Sequence, residues 1–236
     1  MYYKTILCLA DSRKNQGHCV AGKAFSNRIL TSEWVRPISA RSSHEVSECE
    51  KSYENGTAPS LLDVIEIALV EPRPLLHQTE NHLLHHRRWW VKKRQASWPE
   101  VTGATDPDEW LFWAHTASTY HGLNDKIAEA HLQILGKSLR LIRVPQASVL
   151  VRREQGYEGN PSKRRVRVHF EKYSRHHLLP LTDTVLEAKY LDCPDGEYQL
   201  EDAIMCISQA ELWHGYSFRV VASLLTQERC HQINAA

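Results

Sequence analysis

The sequence predicts a mainly β protein with some α structure, arranged as two small antiparallel β units joined by a Trp-rich helical bridge. Three observations carry this. Short β-branched and apolar runs recur at hairpin spacing over residues 3–38. Strand signals then fade between residues 82 and 136, where Trp and His accumulate, and resume from residue 138 to 225. The expected divisions are 1–82 for the first unit, 83–136 for the bridge and 137–236 for the second unit, in a chain of 236 residues. That length suits one large domain or two small ones.

In the first unit, residues 3–9, 11–17, 18–25 and 33–38 read as strands, with Asn15-Gln16-Gly17 as a turn and Pro37 ending the fourth run. Residues 42–56 are polar and helix-tolerant. Residues 62–70, apolar and bracketed by Pro59 and Pro72, read as a largely buried strand. Five such pieces suit a small barrel. In the bridge, Trp98-Pro99-Glu100 and Asp106-Pro107-Asp108-Glu109-Trp110 look like helix starts, with proline in the first turn and acids nearby. The second unit has strand signals at 138–144, 147–151, 164–170, 178–181, 204–208 and 216–225. A short helix over 182–190 sits among them, with Asp183 placed to cap it.

Composition narrows the function. Hydrophobic content of 42% and charged content of 24% fit a folded protein, and the net charge of +1 gives no global attraction for nucleic acid, so such binding would have to come from local patches. No segment approaches ~18 continuous apolar residues, and the N-terminal apolar run is too short for a signal peptide, so a cytoplasmic location without membrane contact is expected. The six cysteines are scattered through apolar segments, as expected of reduced thiols. Asn55-Gly56-Thr57 is then only a turn.

Several blocks together resemble the dual OB-containing family, bacterial proteins with two tandem oligonucleotide/oligosaccharide-binding barrels. They are Cys8-Leu-Ala-Asp-Ser-Arg13 with Cys19-Val-Ala-Gly-Lys23, Trp34-Val-Arg-Pro-Ile-Ser39, residues 61–69, His77 to Asn81, Ser138 to Val144, Leu179 to Tyr190, and Met205 to Ser208 with Gly215 to Ala222. Their shared order spans nearly the whole chain. The resemblance implies two OB-like barrels, a fold that commonly binds single strands through stacking aromatics and a basic groove.

Four groups of residues bear on function. His77, Gln78, Glu80 and Asn81, with Thr79, form a dense donor and acceptor cluster after the proline corner at 72–74, suited to gripping a ligand or to tying down a turn. Arg87, Arg88, Trp89, Trp90, Lys92, Lys93 and Arg94 interleave cations with indoles, as a single-strand track or an amphipathic connector would. Lys163, Arg164, Arg165 and Arg167 form a second basic run. There Arg165, Arg167 and His169 face one way and Val166, Val168 and Phe170 the other, which fits either a binding face or a protected edge strand. Arg13, Lys23 and Arg36 are expected to converge with the 77–81 cluster on one barrel face.

The reading is of a non-catalytic protein binding single-stranded DNA or RNA, or a nucleotide, with Arg36 and the basic runs on phosphate, Trp34, Trp89 or Trp90 on a base, and Gln78, Glu80 and Asn81 on base or sugar edges. One alternative is an adaptor with a protein partner. Another is an enzyme acting on a nucleotide or nucleic acid, using His77 and Glu80 with Asp125 contributed by the bridge. No cofactor is expected. His82, His85 and His86 have helical spacing but lack companion ligands and sit beside cations, so no metal is expected either.

Overall fold

The computed structural model describes residues 1–156 and 160–235. Five strands, β1 (Tyr2–Lys14), β2 (Gly17–Ser26), β3 (Ile29–Ile38), β4 (Asp63–Pro72) and β5 (Asn81–Leu84), close the first barrel. β1 pairs antiparallel with both β2 and β4, β2 with β3 and β4 with β5, while β3 and β5 run parallel and complete the ring. Closure leaves no free edge within that ring. Gly22 permits it, because a Cβ there would lie 2.0 Å from the Leu7 carbonyl oxygen on β1.

The second barrel repeats the plan. β9 (Leu139–Glu154) pairs with β10 (Lys163–Lys172) and β12 (Gly196–Gln209), β10 with β11 (Arg175–Pro180) and β12 with β13 (Tyr216–Leu225). A parallel bridge between Leu181 and Val221 closes it, in the same order of neighbours as the first ring. Helix α3 (Thr184–Leu191) fills the connection from the third to the fourth strand, and Asp183 caps it by accepting from the Leu186 N–H at 3.0 Å. The expected pair of small barrels is therefore present. Inside the second, Val166, Val168 and Phe170 are buried while Arg165 is exposed, as the alternation requires.

The connecting region holds less helix than its composition predicts. Residues 91–95 form a strand, β6 (Val91–Gln95), along the flank of β4, so this part of the basic run is extended. Helix α1 (Trp98–Gly103) starts where expected, with the Ser97 N–H held by Glu100 at 2.9 Å. Helix α2 (Trp110–Trp113) is followed by β7 (Thr116–Ala117), β8 (Lys126–Ala128) and a 3-10 helix over Glu129–Leu135, with β8 pairing onto β13. Residues 42–56 form turns that bridge His18 to Val46 and Tyr53 to Trp90. A last helix, α4 (Gln227–Ala235), closes the chain. No helix among the described residues is long and apolar enough to cross a membrane.

The halves share a core. One apolar cluster runs from Leu7 and Leu9 in the first barrel to Leu139, Leu141, Ile204 and Cys206 in the second. Each such side chain contributes roughly 1.5–3 kcal/mol on burial. A second cluster fills the second barrel and receives Phe112 and Trp113 from α2. The buried Arg219 guanidinium lies over both rings, 4.6 and 5.1 Å from their centroids.

His177, fully buried, stacks on Phe170 at 5.1 Å and meets Trp113 edge-on at 4.8 Å. Burial, and then the Arg219 charge, lower its pKa from 6.5 to about 4. The folded protein keeps this ring neutral where the unfolded chain protonates it. Stability is therefore complete above about pH 6.5 and falls as pH drops toward 4, by about 3 kcal/mol over that window. Urea midpoints measured across this range will show the loss, and His177→Phe will flatten that part of the profile.

Candidate nucleic-acid interface

The 77–81 corner is not on an open face. His77, Gln78, Glu80 and Asn81 are all buried, as is Arg36, because the corner packs against β12 and β13 of the second barrel. His77 lies 3.0 Å from the Ala210 carbonyl through Nε2, Gln78 donates to the Gln209 carbonyl at 3.2 Å, and Thr79 donates to the Gly136 carbonyl at 2.9 Å. Arg36 pairs with Glu80 at 3.0 Å and donates to Ser138 Oγ at 2.8 Å and Asn81 Oδ1 at 3.3 Å. These side chains bind the other half of the molecule, and a strand of nucleic acid has no path to them. The expected base-edge role of Gln78, Glu80 and Asn81 and the phosphate role of Arg36 are corrected accordingly.

The catalytic grouping also disperses. Burial lowers the His77 pKa, which suits a neutral ring donating Nε2–H to a carbonyl. Glu80 is engaged by Arg36 and Ser138. Asp125 accepts from the Thr119 N–H at 2.7 Å and its hydroxyl at 2.5 Å. The three groups are held by three separate sets of partners. His82, expected to share a helical face with His85 and His86, lies instead on β5, with its Nδ1 at 2.5 Å from the Tyr2 hydroxyl.

Lys23 and Trp34 are cross-strand partners on β2 and β3, so they share a face. That face is occupied by the protein itself. Lys23 donates to the Ala104 carbonyl and to Asp106, both at 2.6 Å, and Trp34 Nε1 donates to Asp106 at 3.1 Å. Asp106 in turn accepts from the Leu141 N–H at 2.7 Å. Lys23 and Trp34 are thereby removed from the ligand-facing set.

The first basic run is largely neutralised. Lys92 pairs with Asp63 at 2.7 Å, Lys93 with Glu66 at 2.9 Å and Arg94 with Glu100 at 2.7 Å, and Trp90 is buried. Arg87, Arg88 and Trp89 remain exposed on the turn before β6.

The second basic run opens onto a cleft of about 1350 Å³ that also takes in Arg13 from the first barrel. Arg13 reaches it because its N–H bonds the Thr182 carbonyl at 2.9 Å, seating the end of β1 against the second barrel. Five Lys or Arg side chains line the cleft (Arg13, Lys126, Lys163, Arg165, Arg167) against two acids, Glu154 and Glu187. Arg167 is held bidentately by Glu154, at 2.6 and 3.0 Å. Arg164 points elsewhere, to Asp195 at 2.7 Å and to the carbonyls ending α3.

Four aromatic rings, of Tyr120, Trp213, Tyr216 and Phe218, stand in the same cleft, and the sequence reading missed all of them. Tyr120, 84% exposed, rides on a loop that Asp125 organises through Thr119. Gly122 is required there, because a Cβ would lie 1.8 Å from Asp125 Oδ2. Trp213, 64% exposed, pairs with Tyr216 across a tight turn whose central residues, His214 and Gly215, both have positive φ. Lys126 lies 4.5 Å from the Tyr216 ring centroid. The Trp213-His-Gly-Tyr216 sequence is a legible turn signal, but nothing local joins it to Tyr120.

A family model for the dual OB-containing domain matches residues 4–224. No curated protein and no solved structure matches the chain.

Proposed function

We propose, for a chain that belongs to the dual OB-containing domain family, that it binds single-stranded nucleic acid in the cleft of its second barrel, without catalysis. One observation carries this reading. In an OB barrel the second and third strands and the loops joining strands one to two and four to five form the ligand face. The cleft is lined by β10, the end of β11, residues 155–156 and 160–161 of the first of those loops and residues 213–214 of the other. Its cations would neutralise phosphates, and its rings offer stacking surfaces that accept any base. The equivalent face of the first barrel is filled by Asp106 and its neighbours, which leaves that barrel the role of scaffold and of donor of Arg13.

Titration of a fluorescent oligonucleotide of about 12 nucleotides tests the reading. Trp213→Ala removes an exposed ring, so the fold should be unchanged and the affinity should drop about 5- to 150-fold, the worth of one stacked base. Unchanged affinity removes Trp213 from the interface.

A further inference from the structure

A phosphate-binding cleft has little use for a carboxylate, yet two line this one. Glu154 spends both oxygens on Arg167. Glu187 does not. Its Oε1 takes one bond from Arg13 Nη2 at 3.0 Å, and its Oε2 has no hydrogen-bond partner among the described residues. Glu187 is buried in the wall of the cleft, while the Arg13 side chain is about half exposed. Its carboxyl pKa is raised, chiefly by burial, with Arg13 and Arg165 pulling the other way, so both guanidinium groups act on it.

The position is rigid. Glu187 is on α3, whose first turn is fixed by Asp183, and Asp183 is itself gripped by Arg229 at 2.5 and 2.9 Å. Glu187 Oε2 stays open to solvent at the cleft wall, and a ligand that excludes water from it must supply an N–H or O–H in exchange or leave the charge unsatisfied. A phosphodiester has neither and is repelled. Cytosine has both halves of the match, its N4 amino group for the carboxylate and its N3 and O2 acceptors for the spare N–H groups of the adjacent guanidinium, whereas thymine carries no amino group.

We infer that Arg13 and Glu187 form a base-reading pair, Glu187 accepting from the amino group of a cytosine and Arg13 donating to that base's ring acceptors. This rests on the binding reading above and gives the cleft a preference that stacking and phosphate contacts lack. A pair of this kind discriminates by about 1–3 kcal/mol, or roughly 5- to 150-fold.

The test compares fluorescent oligo-dC and oligo-dT of equal length, binding to the full chain and to Glu187→Gln at neutral pH. Deoxyribose is used so that no 2′-hydroxyl can act as the donor. Wild type should favour oligo-dC about tenfold. Glu187→Gln should lose that preference by weakening oligo-dC while leaving oligo-dT equal or tighter, since a negative charge has gone. A merely structural role would move both affinities the same way. Equal wild-type affinities, or a parallel loss in the variant, overturn the base-reading pair alone. No binding of either oligonucleotide to wild type overturns the function on which it rests.

Discussion

Glu80→Ala will lower the unfolding free energy by about 3–5 kcal/mol, the cost of leaving a buried cation unpaired. Arg36 is 2% exposed, and its charge is compensated by Glu80 at 3.0 Å. Burial works against that charge and Glu80 more than restores it, leaving the Arg36 pKa raised. After truncation the guanidinium keeps only neutral acceptors, Ser138, Ser208 and Asn81. Because Ser138 belongs to the second half of the chain, the damage falls on the seam between the two barrels. Urea denaturation measures the loss. The double variant Arg36→Met/Glu80→Met should be less destabilised than Glu80→Ala alone, because no charge is then stranded. If Glu80→Ala costs under about 1 kcal/mol, a range typical of exposed ion pairs, the seam is wet and the corner accessible.

Lys163→Glu/Arg165→Glu will weaken oligonucleotide binding on the order of 30- to 100-fold at low salt, through two lost phosphate contacts and two added like charges. Lys163 and Arg165 are exposed in the cleft, and neither is paired with an acid among the described residues. Neutralising Arg88, Lys92 and Arg94 to Gln should change affinity less than about threefold, because Lys92 and Arg94 already have acidic partners and screened surface charges act weakly at a distance. The two basic runs, alike in composition, thus separate by where the fold puts them and what it pairs them with.

Much of the fold was legible because it is written in local periodicity. The strand expected at 216–225 coincides with β13, the face alternation of residues 165–170 matches their burial, and Asp183 caps α3. The run at 91–95 was not, since its Lys and Arg side chains favour no strand and pairing with β4 imposes one. The corner at 77–81 shows the deeper limit. Its polar density was plain, but whether those groups meet solvent or protein depends on Gln209 and Ala210, the latter 133 residues from His77. Lys163 and Arg165 were singled out from sequence and do line the cleft. Tyr120 and Lys126 reach it from one stretch of chain and Trp213 and Tyr216 from another, and no spacing in the chain links the two.

The central claim, that a single strand lies in the second barrel's cleft with its phosphates against the 163–167 run, is tested most directly by salt dependence. The slope of log affinity against log salt should be clearly negative for wild type. In Lys163→Glu/Arg165→Glu it should be shallower by about 1.4, at roughly 0.7 per single-strand phosphate contact. Equal slopes for the two proteins, or a slope that flattens only when Arg87, Arg88 and Lys92 are neutralised, would contradict it.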